Sequence, residues 1–180
     1  AARSLSNSIW SKAYYAIANC NELLQKIEDC DEAFEYPWEK QMIMAEARGI
    51  RGLLHFEMLQ LFVPAPVTGY DGQALPYVTS YPDLKPAYKS MKEYIDLVIE
   101  DLKYAQEQLA PIDIDELRNK SNFVSGTMRL DNMDYVLFQG VGNIHSNGGK
   151  RDNAFGDGFF AFRGYRFNYW SATGLLARVY

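Results

Sequence analysis

Apolar and polar positions along this 180-residue chain divide it into four stretches of helical period and two long stretches without one. From Trp10 the residues Trp10, Tyr14, Ile17, Cys20, Leu24 and Ile27 recur in steps of four and three, which puts them on one face of an amphipathic helix over about 8–29. After Tyr36-Pro37-Trp38, where the proline suits a first helical turn, Met42, Ala45, Gly49, Gly52, Phe56 and Leu59 follow one face of a second helix over 38–62. Each of the two glycines costs about 1 kcal/mol relative to alanine inside a helix, so packing must offset them, and their spacing predicts a neighbouring helix lying very close. Ser90 and Glu93 have the spacing of a capping box, and Met91, Tyr94, Ile95, Val98, Leu102, Ala105 and Leu109 carry a third helix over 90–110, closed by Pro111. Tyr169, Ala172, Leu175, Leu176 and Val179 begin a fourth over about 167–180.

Between them, 63–89 opens with Val63-Pro64-Ala65-Pro66, is rich in Pro, Gly and Tyr, has no helical period and reads as a long ordered loop. The second insertion, 111–166, is irregular, with short strands predicted at 127–130 and 135–138 and a glycine-rich tract over 140–164. Helices one and two form one antiparallel hairpin, and three and four another. The expected fold is mainly all-α, with tetratricopeptide-like helix hairpins and long loop insertions, residues 1–180 making one helical-repeat domain. The fourth apolar face ends at Tyr180 without a cap, so the chain is expected to be part of a longer protein.

Composition narrows the function classes. At 48% hydrophobic residues the chain can bury a core. Its formal net charge of -5 argues against a nucleic-acid partner, because binding a phosphate backbone depends on many Lys and Arg. No apolar run approaches the roughly 20 residues that span a bilayer, and Ala1 to Ser6 lack the apolar core of a signal peptide, so any export signal is expected outside this sequence. Cys20 and Cys30 are ten residues apart, about 15 Å along a helix. A disulfide needs Cα atoms within about 7 Å, so both read as free small hydrophobes.

Five segments in order resemble the SusD/RagB family of Bacteroidetes outer-membrane nutrient-binding lipoproteins. Tyr14 to Leu24 is similar to the family's first repeat helix, and Ala45-Glu46-Ala47-Arg48 through Phe56 to its most recognisable block. Ala74 to Thr79, Ile99 to Leu109, and Arg166 to Tyr180 with Leu175-Leu176-Ala177-Arg178-Val179-Tyr180 resemble three further blocks. Gly49, Gly52, Val63 and Tyr88 depart from the family pattern. The resemblance implies the N-terminal part of a surface-exposed protein, lipid-anchored through a segment outside this chain. Such a protein holds oligosaccharide for a SusC-like TonB-dependent outer-membrane transporter. It implies neither catalysis nor a cofactor, and no family ligand residue transfers one by one. A tetratricopeptide-like adaptor for protein partners is the alternative reading.

Sugar recognition would need flat aromatic faces beside polar side chains, which makes Tyr70, Tyr81 and Trp170 the candidate ligand-binding residues. Arg48 and Arg51 near Glu46 could clamp an anion, but their plainer reading is to tie the second helix to adjacent loops or to lie on a solvated face. His55, mid-helix, and His145 lack metal-site spacing. Gly140-Val141-Gly142 opens no helix and makes a poor dinucleotide motif, and Asp131, Asp134, Asp152 and Asp157 read as solvated loop charges.

Overall fold

The computed structural model describes residues 2–34, 36–70, 72–116 and 166–180. Helix α1 spans Ala2–Ile27, α2 Pro37–Phe62, α3 Met91–Ala110 and α4 Tyr169–Val179, each packing antiparallel on the one before it. Specific pairs fix these directions. Trp10 meets Phe62 edge-on at 5.1 Å, Gln41 of α2 bonds Gln108 of α3 at 2.7 Å, and Gln106 of α3 bonds Thr173 of α4 at 2.8 Å. The all-α expectation holds, and Tyr94, Met42, Val98, Leu102, Ala105, Leu109 and Ala172 form the fully buried centre of the layer. No helix among the described residues is long and apolar enough to cross a membrane.

Helix ends follow local chemistry. At α3 the expected capping box is present: the Ser90 hydroxyl accepts the Glu93 N–H, and the Glu93 carboxylate accepts the Ser90 N–H at 2.9 Å. At α4 the Asn168 side chain accepts the Ser171 N–H at 2.8 Å, so the helix starts at Tyr169 and not at 167. Helix α1 begins six residues earlier than the predicted 8, over turns whose Leu5 and Ile9 lie off the buried stripe and stay exposed. Its first turns run past Phe62, the last residue of α2, and Leu5 stays 64% exposed. Pro111 closes α3 as expected, standing as its C-cap after Ala110, but the chain does not become a loop there. Lacking an N–H, it cannot continue the α-pattern, and the chain passes into a π-helical turn, Pro111–Glu116, whose Asp113 accepts the Tyr169 N–H at 2.8 Å.

The loop 63–89 holds more regular structure than its composition predicts. Strand β1, Gln73–Pro76, pairs antiparallel with β2, Tyr88–Ser90, leading directly into α3. Ala74, Leu75, Tyr77 and Val78 are all buried, so this segment packs as core and not as a surface loop. Three consecutive buried residues lack the alternation that marks a half-exposed strand. Of the insertion 111–166, the predicted strands at 127–130 and 135–138, the glycine tract, His145 and the four loop aspartates lie outside the described residues.

Both helical glycines are packing positions. A Cβ on Gly52 would stand 3.3 Å from Asp101 and Leu102, so α2 and α3 approach closely there, as the spacing predicted. A Cβ on Gly49 would land on the ring of Phe167, just ahead of α4, so that glycine accommodates an aromatic and not a helix.

Candidate functional site

Charged and polar side chains of the helices converge beneath the 73–80 segment. Asp101 of α3 sits at the centre, its carboxylate accepting Arg51 Nε at 2.7 Å and a second Arg51 nitrogen at 2.7 Å, Arg48 Nε at 2.7 Å and the Tyr77 hydroxyl at 2.7 Å. Burial pushes this carboxyl upward, but the Arg51 hydrogen bonds and charge, helped by Tyr77 and Arg48, hold it below the ordinary range. Arg51 donates its remaining terminal nitrogen to Asn21 of α1 at 2.8 Å, and Asn21 donates to the Val78 carbonyl at 2.9 Å. One chain of bonds therefore runs from α1 through α2 and α3 into the loop.

His55 completes the cluster. The Tyr94 hydroxyl donates to the His55 backbone carbonyl at 2.9 Å and lies 2.9 Å from Nδ1, which donates to it in the tautomer that carries the hydrogen on Nδ1. Nε2 is then bare and accepts the Val78 N–H at 3.3 Å. Burial, opposed by the Val78 carbonyl 3.4 Å from Nε2, which favours a proton there, and reinforced by the Arg51 charge, lowers this histidine to about 4, so it is neutral at physiological pH. The Tyr77 ring stacks on it at 3.9 Å.

These residues are consumed internally. Arg48 and Arg51 both bind the Asp101 carboxylate on α3; Arg48 also reaches the exposed Glu100 at 3.1 Å, and Arg51 is linked to the 73–80 segment through Asp101 and Tyr77, so the pair ties the second helix to a helix as well as to the loop of the plainer sequence reading. Glu46, by contrast, reaches forward to Arg166 at 2.8 Å. Cys20 and Cys30 are free, the latter exposed. Among the described residues no three His, Cys, Asp or Glu side chains gather as a metal site would require.

The surface offers a different geometry. A groove of about 720 Å³ lies between α2 and α4, with Ile50 and Leu53 on one wall and Trp170, Leu175 and Arg178 on the other. Trp170 is 46% exposed there. Arg166 with Glu46 marks one end, and Arg178, which donates to Glu57 and Gln60 at 3.1 Å, the other. Gly174 lies in the groove, and no described atom comes within 4 Å of the place its Cβ would take.

The three aromatic candidates are dispersed. Tyr70 is half-buried and donates its hydroxyl to the Gln73 carbonyl at 2.8 Å, closing its own turn. Tyr81 is 45% exposed beside α1, where its N–H bonds Gln25 at 3.0 Å. Neither lines the Trp170 groove. The sequence reading passed over the other groove residues, Ile50, Leu53, Gly174 and Arg178, which look like ordinary helix positions. Gly174, a glycine inside a stretch of helical period, is the signal that could have drawn attention to them.

Comparison with known proteins agrees with this architecture. Residues 3–122 match a SusD-like family model described as "Starch-binding associating with outer membrane". A solved SusD superfamily protein from Bacteroides thetaiotaomicron superposes with a TM-score of 0.59 at 23% identity, over 95% of this chain and 27% of that one. The chain thus spans about a quarter of the length of that protein. Among curated proteins none matches significantly. With a family model covering two thirds of the residues and the helical layer shared, the chain belongs to the SusD-like family.

Proposed function

We propose that this chain is the helical-repeat domain of a surface-exposed nutrient-binding protein that holds oligosaccharide for import and performs no catalysis. In this reading the complete protein is lipid-anchored in the outer membrane through a segment outside these residues. It hands its ligand to a SusC-like TonB-dependent outer-membrane transporter. The carrying observation is the family match over residues 3–122, whose description joins starch binding to the outer membrane. The internal use of Asp101, Arg51, Arg48 and His55 supports it, because the described residues best suited to acid–base work are committed to holding the fold.

The test is co-purification. Full-length protein extracted from outer membranes in mild detergent is expected to bring down a β-barrel transporter, and to shift in glycan-binding assays. Recovery of a soluble protein partner without a barrel would replace this reading with the adaptor.

A further inference from the structure

We propose that a second cavity, where α2 and α4 end and α3 begins, binds a free medium-chain fatty acid, its hydrocarbon arm inside and its carboxylate on Arg178. The site shares only Arg178 with the larger groove and does not depend on the glycan reading above.

The cavity holds about 440 Å³, within the range of about 300–1,000 Å³ typical of small-molecule sites. Its walls come from three helix ends and one turn: Leu59 of α2, Met91 and Ile95 of α3, Val179 of α4, and Val63 and Pro64 where the chain leaves α2. Topology sets this position. Because α2 and α4 run antiparallel to α3, their last turns meet its first turn at one end of the layer. Val63, Met91, Ile95 and Val179 are only half-buried there, so each keeps apolar surface that a hydrocarbon can cover. A sugar fits such walls poorly, since its hydroxyls would lie unbonded against aliphatic side chains.

The polar end is equally defined. Among the described residues of the wall, Arg178 is the sole charged side chain, and Gln60 stands beside it. The guanidinium lies 5.5 Å from the centre of the Phe56 ring, which holds it against the apolar wall. A guanidinium meets a carboxylate best through two parallel bonds, but Arg178 divides its fork: one terminal nitrogen donates to Glu57 and the other to Gln60, each at 3.1 Å. The pair with Glu57 is about half exposed on both sides, so screening by water makes it cheap to exchange. An incoming carboxylate can take both prongs of the fork while Glu57, which does not line the cavity, turns to solvent. Complementary charge thus selects the head group, and the aliphatic walls select the arm.

Isothermal titration of the full-length protein, kept free of detergent, tests this with monomeric decanoate. The controls are decanol, an uncharged chain of equal length, and butyrate, a head with almost no arm. Decanoate is expected to bind one to one and at least about ten-fold more tightly than either control. Arg178→Gln should bring decanoate down to the level of decanol and leave decanol unchanged. Ile95→Trp should weaken both by filling the cavity. Because a bulky substitution can disturb folding, the isotope-labelled methyl of Met91 gives a reading on the unaltered chain: its NMR signal should shift with decanoate and not with butyrate. Equal affinity for decanoate and decanol would overturn the ligand class. Decanoate binding that survives both substitutions, or leaves the Met91 signal unmoved, would overturn the site. Self-association that Ile95→Trp abolishes and decanoate leaves undisturbed would assign this face to a second copy of the chain, against the proposal. Wild-type protein that does not bind decanoate would overturn it outright, and glycan capture would stand untouched.

Discussion

Replacing Asp101 by alanine should be among the most damaging single changes outside the apolar core. The substitution leaves Arg51, whose side chain is 8% exposed, as a buried cation that has lost two charge-assisted bonds, and it strips the Tyr77 hydroxyl of its acceptor. Breaking one side of a buried ion pair costs about 3–5 kcal/mol, because the orphaned charge keeps its desolvation penalty. With a urea slope of about 2 kcal/mol/M, a loss near 4 kcal/mol moves the unfolding midpoint down by about 2 M. Circular dichroism at 222 nm during urea titration measures this directly. The double variant Arg51→Met with Asp101→Leu should lose less than Asp101→Ala alone, since it removes both charges together. A midpoint shift below about 0.5 M for Asp101→Ala, or a double variant as costly as the sum of the two single changes, would refute the argument.

Three further outcomes follow from the same geometry. His55 stays neutral in the folded protein down to about 4, while the unfolded chain takes up its proton near 6.5, so stability is full above about pH 6.5 and falls by about 3 kcal/mol as pH drops through that window. Urea unfolding at stepped pH should show this slope in the wild type and a flatter profile in His55→Gln. Gly49→Ala should lower the melting temperature, because the new methyl meets the Phe167 ring and the strain outweighs the helix-propensity gain of about 1 kcal/mol, whereas Gly174→Ala should raise it slightly. Ser90→Ala should cost about 1 kcal/mol in the same urea assay by removing the α3 cap, and a neutral result would mean the Glu93 half of the box suffices.

The helices were legible because each buries a stripe, and a buried stripe leaves its period in the sequence. The Ser90 cap was legible for a related reason: both of its members lie within one turn. The polar cluster was not, since Asn21, Arg51, Tyr77 and Asp101 are 24 to 50 residues from the partners that explain them. A trace existed. Asn21 falls four residues after Ile17, and Asp101 three after Val98, so each is a polar residue placed on the apolar face of its own helix. Strand β1 left no trace of period, because all three of its residues after Gln73 are buried and its partner begins twelve residues after its end.

The polar cluster also constrains where recognition can occur. Buried Arg51 and Asp101 are tolerable only while they satisfy each other and their neighbours, so recruiting either to a ligand would break bonds that hold α1, α2, α3 and the 73–80 segment together. A ligand that offered a carboxylate to Arg51 would have to displace Asp101 and leave that charge buried without its partner. Exposed ion pairs differ, because their bonds are cheap to exchange. Arg178 meets that condition: its pair with Glu57 is about half exposed on both sides, and pairs of that kind contribute only about 0–1 kcal/mol. The fold thus keeps its strong polar bonds for positioning the helices and leaves weak ones, such as that of Arg178, at the exposed surface.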